Sequence, residues 1–459
     1  MNRIRLVVAA GVAVGLGALS VGCRDEPVAP TADRAAVQAT ADVASVHFED
    51  GLGARIIRSQ RVPLREGIVH YTFDVALGPG QFDVIRLHRV VRERRPHAPI
   101  DTEDAIFLLP GAPNAFAEIF VEPLISSAAP WDQSVAIFLA KHDIDVWGMD
   151  YAWALVPATT TDFGFMKDWG LAKEIQFAER GLSAARSLRA STGQGDGKLD
   201  LLGFSYGVVL GYAVAADETQ WPRGRRNVKG FIPVDYYFKT NDEAVRVANC
   251  QDIPYEQGLL DAAAYQNGVG LFFEQVGALA KSAPNDPSPF YGALTNYQFA
   301  LYAGASDGGG GHFVGGFFDA SGIPTGLRFT DPALWLDLAV ATPPFTSPVR
   351  AVLDGDALVC NETDVPFDDH LGEITIPILY VGAAGGLGQG SGPYSTTLTA
   401  SKDVTKLRVQ LLADDQRPFD YGHADLFSAS SAQRLVWQPI LNWLLAHRSD
   451  RAYAAGNGR

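Results

Sequence analysis

The residues with the clearest chemical purpose are Gly203-Phe204-Ser205-Tyr206-Gly207. The apolar run Leu199 to Leu202 precedes them, and Val208 to Ala216 follows with a helical composition. A serine between a strand and a helix, with glycine two positions to either side, sits on a sharp turn that exposes its hydroxyl. The small flanking residues let two backbone segments pass closely. The following helix directs partial positive charge at the point where an oxyanion would form. Ser205 is therefore a candidate nucleophile for acyl transfer, the alternative being a structural turn serine. A hydroxyl alone is a weak nucleophile, so the chemistry also needs a base and a carboxylate to orient it. The chain offers nine histidines for the first role.

The elements that must position these groups follow a regular order. His70 to Ala76 and Phe82 to Val91 are β-rich runs separated by Gly78-Pro79-Gly80, a hairpin signature. Ala105–Leu109, Ile144–Met149, Leu199–Leu202 and Val228–Val234 read as buried strands. Helical patterns lie between them at Trp131–Lys141, Leu171–Leu188 and Tyr206–Ala216. This alternation predicts a mostly parallel sheet covered on both faces, with the opening hairpin at its edge. It resumes with strands at Ile376–Val381 and Leu407–Leu412 and a helix at Ala432–Ala446. The stretch 236–371 is too long for a loop and is expected to be a cap. Its run Gly308-Gly309-Gly310-Gly311 reads as a flexible surface loop, with a lid hinge as the alternative.

Strand order, serine turn, the Gly422-His423 pair and the insertion together resemble the α/β-hydrolase superfamily, in its capped, esterase- or lipase-like form, over about His47 to His447. The resemblance implies an α/β fold with a mostly parallel eight-stranded sheet, helices on both faces and a cap before the seventh strand. It divides the body into core 46–235, cap 236–371 and core 372–459. It implies that the base follows the last strand, which selects His423; His312 and His370 fall in the cap and His447 at the end of the last helix. The acid usually follows the strand Ile376–Val381, but Gly382 to Gly388 contains no carboxylate. Asp235 closes the preceding strand, where some lipases carry their acid; Asp403 and the group Asp414, Asp415 and Asp420 remain alternatives. The oxyanion donors are expected to be the N–H groups of Tyr206 and of Ala112, since Pro113 has none. The activity implied is hydrolysis of a small-molecule or lipid ester without metal or organic cofactor. A peptidase or amidase, or a non-catalytic surface binding protein, could use the same scaffold.

The formal net charge of −15 disfavours nucleic acid as a partner. Arg3 and Arg5 precede the apolar run Leu6–Leu19, which is shorter than the roughly 20 residues of a bilayer span. Leu19-Ser20-Val21-Gly22-Cys23 resembles a bacterial lipoprotein signal, with Ser20 where that signal usually has Leu. It implies a signal peptide over 1–22, a lipidated Cys23 on a flexible tether over 23–45, and a place in the bacterial cell envelope. Two other cysteines remain, Cys250 and Cys360, and an oxidising compartment favours their pairing.

Overall fold

The computed structural model describes residues 54–102, 104–307 and 310–448, so the signal segment and Cys23 lie outside the described residues. The strands, in chain order, are β1 (Arg55–Pro63), β2 (Ile68–Ala76), β3 (Val84–Arg95), β4 (Ala98–Pro99), β5 (Asp104–Leu109), β6 (Ile144–Asp150), β7 (Leu199–Phe204), β8 (Val228–Val234), β9 (Gly316–Phe318), β10 (Pro324–Leu327), β11 (Ile378–Ala383) and β12 (Val404–Val409). Ten of them form one sheet in the order β1-β2-β3-β6-β5-β7-β8-β11-β12, with β4 paired to β3. From β6 to β12 all neighbours are parallel, whereas β1, β2 and β3 run antiparallel to theirs. The sheet exceeds the expected eight strands because β1 and β4 carry little apolar signal. Most of β1 is exposed or half-buried, and it, rather than the β2–β3 hairpin, forms the edge.

Continuous apolar runs form the central strands because both faces are covered. In β5 every residue is buried. Phe107 and Leu109 point to one core, Ile106 and Leu108 to the other, as the two-residue strand period requires. Short helix α1 (Phe116–Phe120) and α2 (Val135–Lys141) lie on the second side; α3 (Leu171–Ser191) and α4 (Tyr206–Asp217) lie on the first. Between β8 and β11 the chain forms α5 (Glu243–Asp261), α6 (Val269–Ser282), α7 (Asn296–Ala305), the β9–β10 hairpin, α8 (Pro332–Ala341) and α9 (Val349–Cys360). These cap helices bury a smaller core of their own around Val276, Phe299, Ala300 and Leu336. Cys250 on α5 and Cys360 on α9 stand at disulfide distance. After β11 come α10 (Ser391–Thr397), β12, α11 (Asp425–Ser428) and α12 (Gln438–Ala446), which joins α2 on the second face. β12 starts three residues earlier than its apolar pattern suggests, since an outer strand exposes Thr405, Lys406 and Arg408 along its length.

Candidate active site

Ser205 occupies the turn from β7 into α4 with φ 55° and ψ −122°. A non-glycine residue in this region stores strain and persists only where its surroundings impose it. The two motif glycines show what imposes it. A Cβ at Gly203 would lie 2.1 Å from the Gly207 carbonyl oxygen, and one at Gly207 2.4 Å from that of Leu109. Larger residues at either place would force β7, α4 and β5 apart and release the turn.

Asp235 leaves the end of β8, also with positive φ (51°), and its side chain is fully buried. Its Oδ2 lies 2.7 Å from His423 Nδ1. The rest of the carboxylate is held by backbone donors: Ala383 N–H at 2.9 Å and Gly388 N–H at 3.3 Å to Oδ1, and Leu387 N–H at 3.0 Å to Oδ2. These come from the last residue of β11 and the glycine-rich turn after it. The turn that lacks a carboxylate of its own is thus the cradle for the carboxylate of the neighbouring strand. A Cβ at Gly386 would come within 2.0 Å of Asp235 Oδ2.

His423 is 2% exposed in its side chain and stacks on Phe204, with ring centroids 4.4 Å apart. Its backbone N–H donates to the His312 carbonyl at 2.9 Å, and Ala424 N–H to that of Phe313 at 2.7 Å. Asp425 accepts from the N–H groups of Gly422 and Gly315 and from Thr330 Oγ1, tying this loop to the cap. Chiefly through burial its carboxyl is raised to about 6. His423 Nε2 is buried without a hydrogen-bond partner among the described residues. Ser205 and His423 line the same small cavity, with no hydrogen bond between them; such bonds often close only around substrate.

The structure brings Ser205, His423 and Asp235 to one place and sends the alternatives elsewhere. Asp403 pairs with His447 at 3.0 Å at the surface. Asp414 and Asp415 are exposed. Asp420 is buried but accepts the N–H groups of Leu411, Leu412 and Tyr421, which shapes the loop ahead of His423. His370 pairs with Glu373 on the surface. His312 is buried, its Nε2 donating to the Asp420 carbonyl at 2.7 Å.

The glycine run differs from a free surface loop at its described end. Gly311 has φ +111°, and His312 N–H donates to the Gly385 carbonyl at 2.9 Å, pinning the cap to the Asp235 cradle. Gly308 and Gly309 lie outside the described residues.

Ala112 and Tyr206 line a cavity of about 160 Å³ together with Ser205. Tyr206 opens α4, so its N–H has no acceptor within the helix. The Ala112 loop is fixed from both sides. Tyr151 donates its hydroxyl to the Pro110 carbonyl at 2.8 Å, and Glu118 accepts from Asn114 Nδ2 and from Ala115 N–H. Glu118 also accepts from Thr342 Oγ1 of the cap at 3.1 Å, and burial pushes its carboxyl up to about 8. No local pattern points to Glu118, because a charged residue in Phe116–Phe120 reads as the solvent side of a helix turn. A second cavity of about 60 Å³, on the His423 side, is walled mostly by apolar groups such as Ile119, Phe273, Trp335 and Leu338. Among the described residues, the one His/Cys/Asp/Glu group with converging ligand atoms is Cys250, Cys360 and Glu362, and its two sulfurs are joined to each other.

No family model and no curated protein matches the sequence. Solved structures do resemble the fold. A candidate lipase from Sulfolobus solfataricus is 17% identical, with 85% of this chain and 100% of that one covered and a TM-score of 0.56. A thermophilic esterase from Thermogutta terrifontis is 13% identical, with 85% and 100% covered and a TM-score of 0.41. The juvenile hormone epoxide hydrolase of the silkworm Bombyx mori is 13% identical, with 83% and 79% covered and a TM-score of 0.38. Likeness at such identity is likeness of fold, and the chain has the α/β-hydrolase fold.

Proposed function

We propose that the protein is a serine hydrolase that cleaves carboxylic esters through an acyl-enzyme on Ser205. The observation that carries this is the convergence at one cavity wall of a strained, strand-to-helix serine and an imidazole whose Nδ1 is 2.7 Å from a buried carboxylate and whose Nε2 is unclaimed. Ser205 Oγ attacks the acyl carbon as His423 Nε2 takes its proton. Asp235 holds the ring with Nδ1 protonated and stabilises the imidazolium. The N–H groups of Ala112 and Tyr206 receive the oxyanion. His423 then protonates the leaving alcohol, and water, activated by the same ring, releases the acid. Mostly apolar walls suit a small-molecule or lipid ester. A fluorophosphonate probe should label Ser205, and Ser205→Ala should abolish both labelling and p-nitrophenyl ester turnover. Labelling at another residue, or turnover surviving in the variant, refutes the reading. No turnover of aminoacyl anilides under conditions where esters are cleaved separates it from a peptidase on the same fold, which would cleave both.

By the same reading the protein is exported and held in a bacterial cell envelope by a lipid on Cys23. The support is the Arg3/Arg5, apolar-run and Cys23 pattern, together with Cys250 and Cys360 at disulfide distance, as suits an oxidising compartment. Cys23→Ser should shift the protein from membrane to soluble fractions; an unchanged distribution counts against the anchor.

A further inference from the structure

Among the described residues, the wall of the larger cavity beside Ser205 holds one carboxylate, Asp356 of α9, and no Lys, Arg or His. Asp356 is 6% exposed, and its carboxyl pairs with that of Glu256 of α5, a contact that requires one of the two to hold a proton. Glu256, behind it, is 3% exposed. The two side chains adjoin, and the other charge bearing on both is a further carboxylate, Asp252. Burial raises both carboxyls, so the pair retains a proton more readily than free carboxylates do. The pair carries one negative charge beside the cavity once the first of its two protons has left. A buried charge normally has a partner of opposite sign. Asp356 lies in the cavity wall, so a cation bound in the cavity could supply that partner. Tyr236, stacked on Tyr237 with centroids 4.6 Å apart, also lines this cavity and offers a ring face of the kind that attracts cations. Hydrolysis in the mechanism above uses none of these groups.

We propose that Asp356, backed by Glu256 and flanked by Tyr236, is a subsite for a positively charged group, an amine or quaternary ammonium carried by the ester that Ser205 cleaves. The proposal rests on the ester-hydrolase reading for the reaction, while the binding of the cation stands apart from it. The subsite spans α5 and α9, the two helices that bear Cys250 and Cys360, so that pair also fixes the spacing of the two carboxyls.

The test compares two esters of the same shape on the full-length protein: p-nitrophenyl 4-(trimethylammonio)butanoate and its neutral carbon isostere, p-nitrophenyl 5,5-dimethylhexanoate. The wild type should favour the cationic ester by tenfold or more in kcat/KM, and Asp356→Asn should reduce that ratio at least tenfold. The ratio cancels any general loss of active protein. In parallel, butyltrimethylammonium chloride is titrated into Ser205→Ala protein by calorimetry, with and without Asp356→Asn. Saturable binding that weakens tenfold or more with the second substitution supports the subsite, even if neither ester is cleaved and the ester reading fails. Turnover of both esters without preference, together with no saturable binding, overturns the subsite while leaving the ester reading in place. The carboxyl pair would then be a closed structural contact within the cap.

Discussion

Replacing Asp235 by Asn changes one atom's chemistry at a fully buried position, and the surrounding donors decide how it acts. The amide can put its oxygen at only one of the two carboxylate positions. With the NH2 at the Oδ1 position it opposes two backbone donors, Ala383 and Gly388. With the NH2 at the Oδ2 position it opposes one, Leu387, and also donates toward His423 Nδ1. Each opposed buried donor costs about 1–3 kcal/mol, so the second arrangement is favoured by about that amount. It forces the proton of His423 onto Nε2, where the ring can no longer accept from Ser205. The minority arrangement keeps the useful tautomer but loses the charge that stabilises the imidazolium. Opposite unit charges about 4 Å apart at an effective dielectric near 20 attract by about 4 kcal/mol, part of which is needed in the transition state. Together these losses place the variant about 10³- to 10⁴-fold below wild type in kcat, or about 4–5.5 kcal/mol. Initial rates on p-nitrophenyl butyrate, with circular dichroism to confirm the fold, measure it. Asp403→Asn, which touches only surface His447, should stay within tenfold. If Asp235→Asn works within tenfold of wild type, or Asp403→Asn is the crippled variant, the assignment of the acid is wrong.

Glu118→Ala removes the acceptor for the N–H groups of Asn114 and Ala115 and for the Thr342 hydroxyl; it should lower kcat by roughly tenfold or more with a smaller change in KM, since an oxyanion donor is worth about 10²–10³ when lost outright. Equal kcat, measured under saturating ester, would show that the Ala112 loop holds without it. Reducing Cys250–Cys360, which closes a separation of 110 residues, should remove up to about 5 kcal/mol from the unfolding free energy by the chain-entropy model. Urea midpoints with and without reductant, unchanged, would contradict this. His70 is buried on β2 beside His88, and burial first, then the His88 charge, push its imidazole down to about 3. The folded state therefore binds fewer protons than the unfolded one between about pH 3 and the unfolded value near 6.5. Stability is full above that window, falls with pH inside it, and by pH 5 is lower by about 2 kcal/mol from this group. Denaturant titrations at pH 7 and 5 should show the drop in wild type and a smaller one in His70→Gln; equal drops would place its cause elsewhere.

What could be read from the sequence follows from where each segment sits. β5, β6, β7 and β8 are almost wholly buried, which leaves short, mostly apolar runs that single charged residues such as Asp145, Asp200 and Lys229 do not hide. β1 and β12 are the two outer strands; their partly exposed residues include Arg55, Arg58, Lys406 and Arg408, and this polarity hid β1 and blurred the start of β12. Ser205 was legible because a local turn needs its two glycines. Asp235 was legible only as a carboxylate at a strand end, because what makes it useful is three N–H groups about 150 residues away, and no local pattern records that pairing. The glycines of 382–388 did record half of it. The turn has no acid of its own, but the missing Cβ atoms of Gly386 and Gly388 leave the space that Asp235 of the neighbouring strand occupies. Glu118 and Asp356 were invisible for a different reason. A carboxylate inside an amphipathic helix is read as solvent-facing unless its partners are known, and both lie against the cavities that the cap creates. Neighbouring strands thus divide the position of Asp235 between side chain and cradle, and the cap sets what surrounds Ser205. The turn around Ser205 is therefore written locally, while the walls of the cavities beside it depend on long-range contacts from 236–371 that only the folded chain displays.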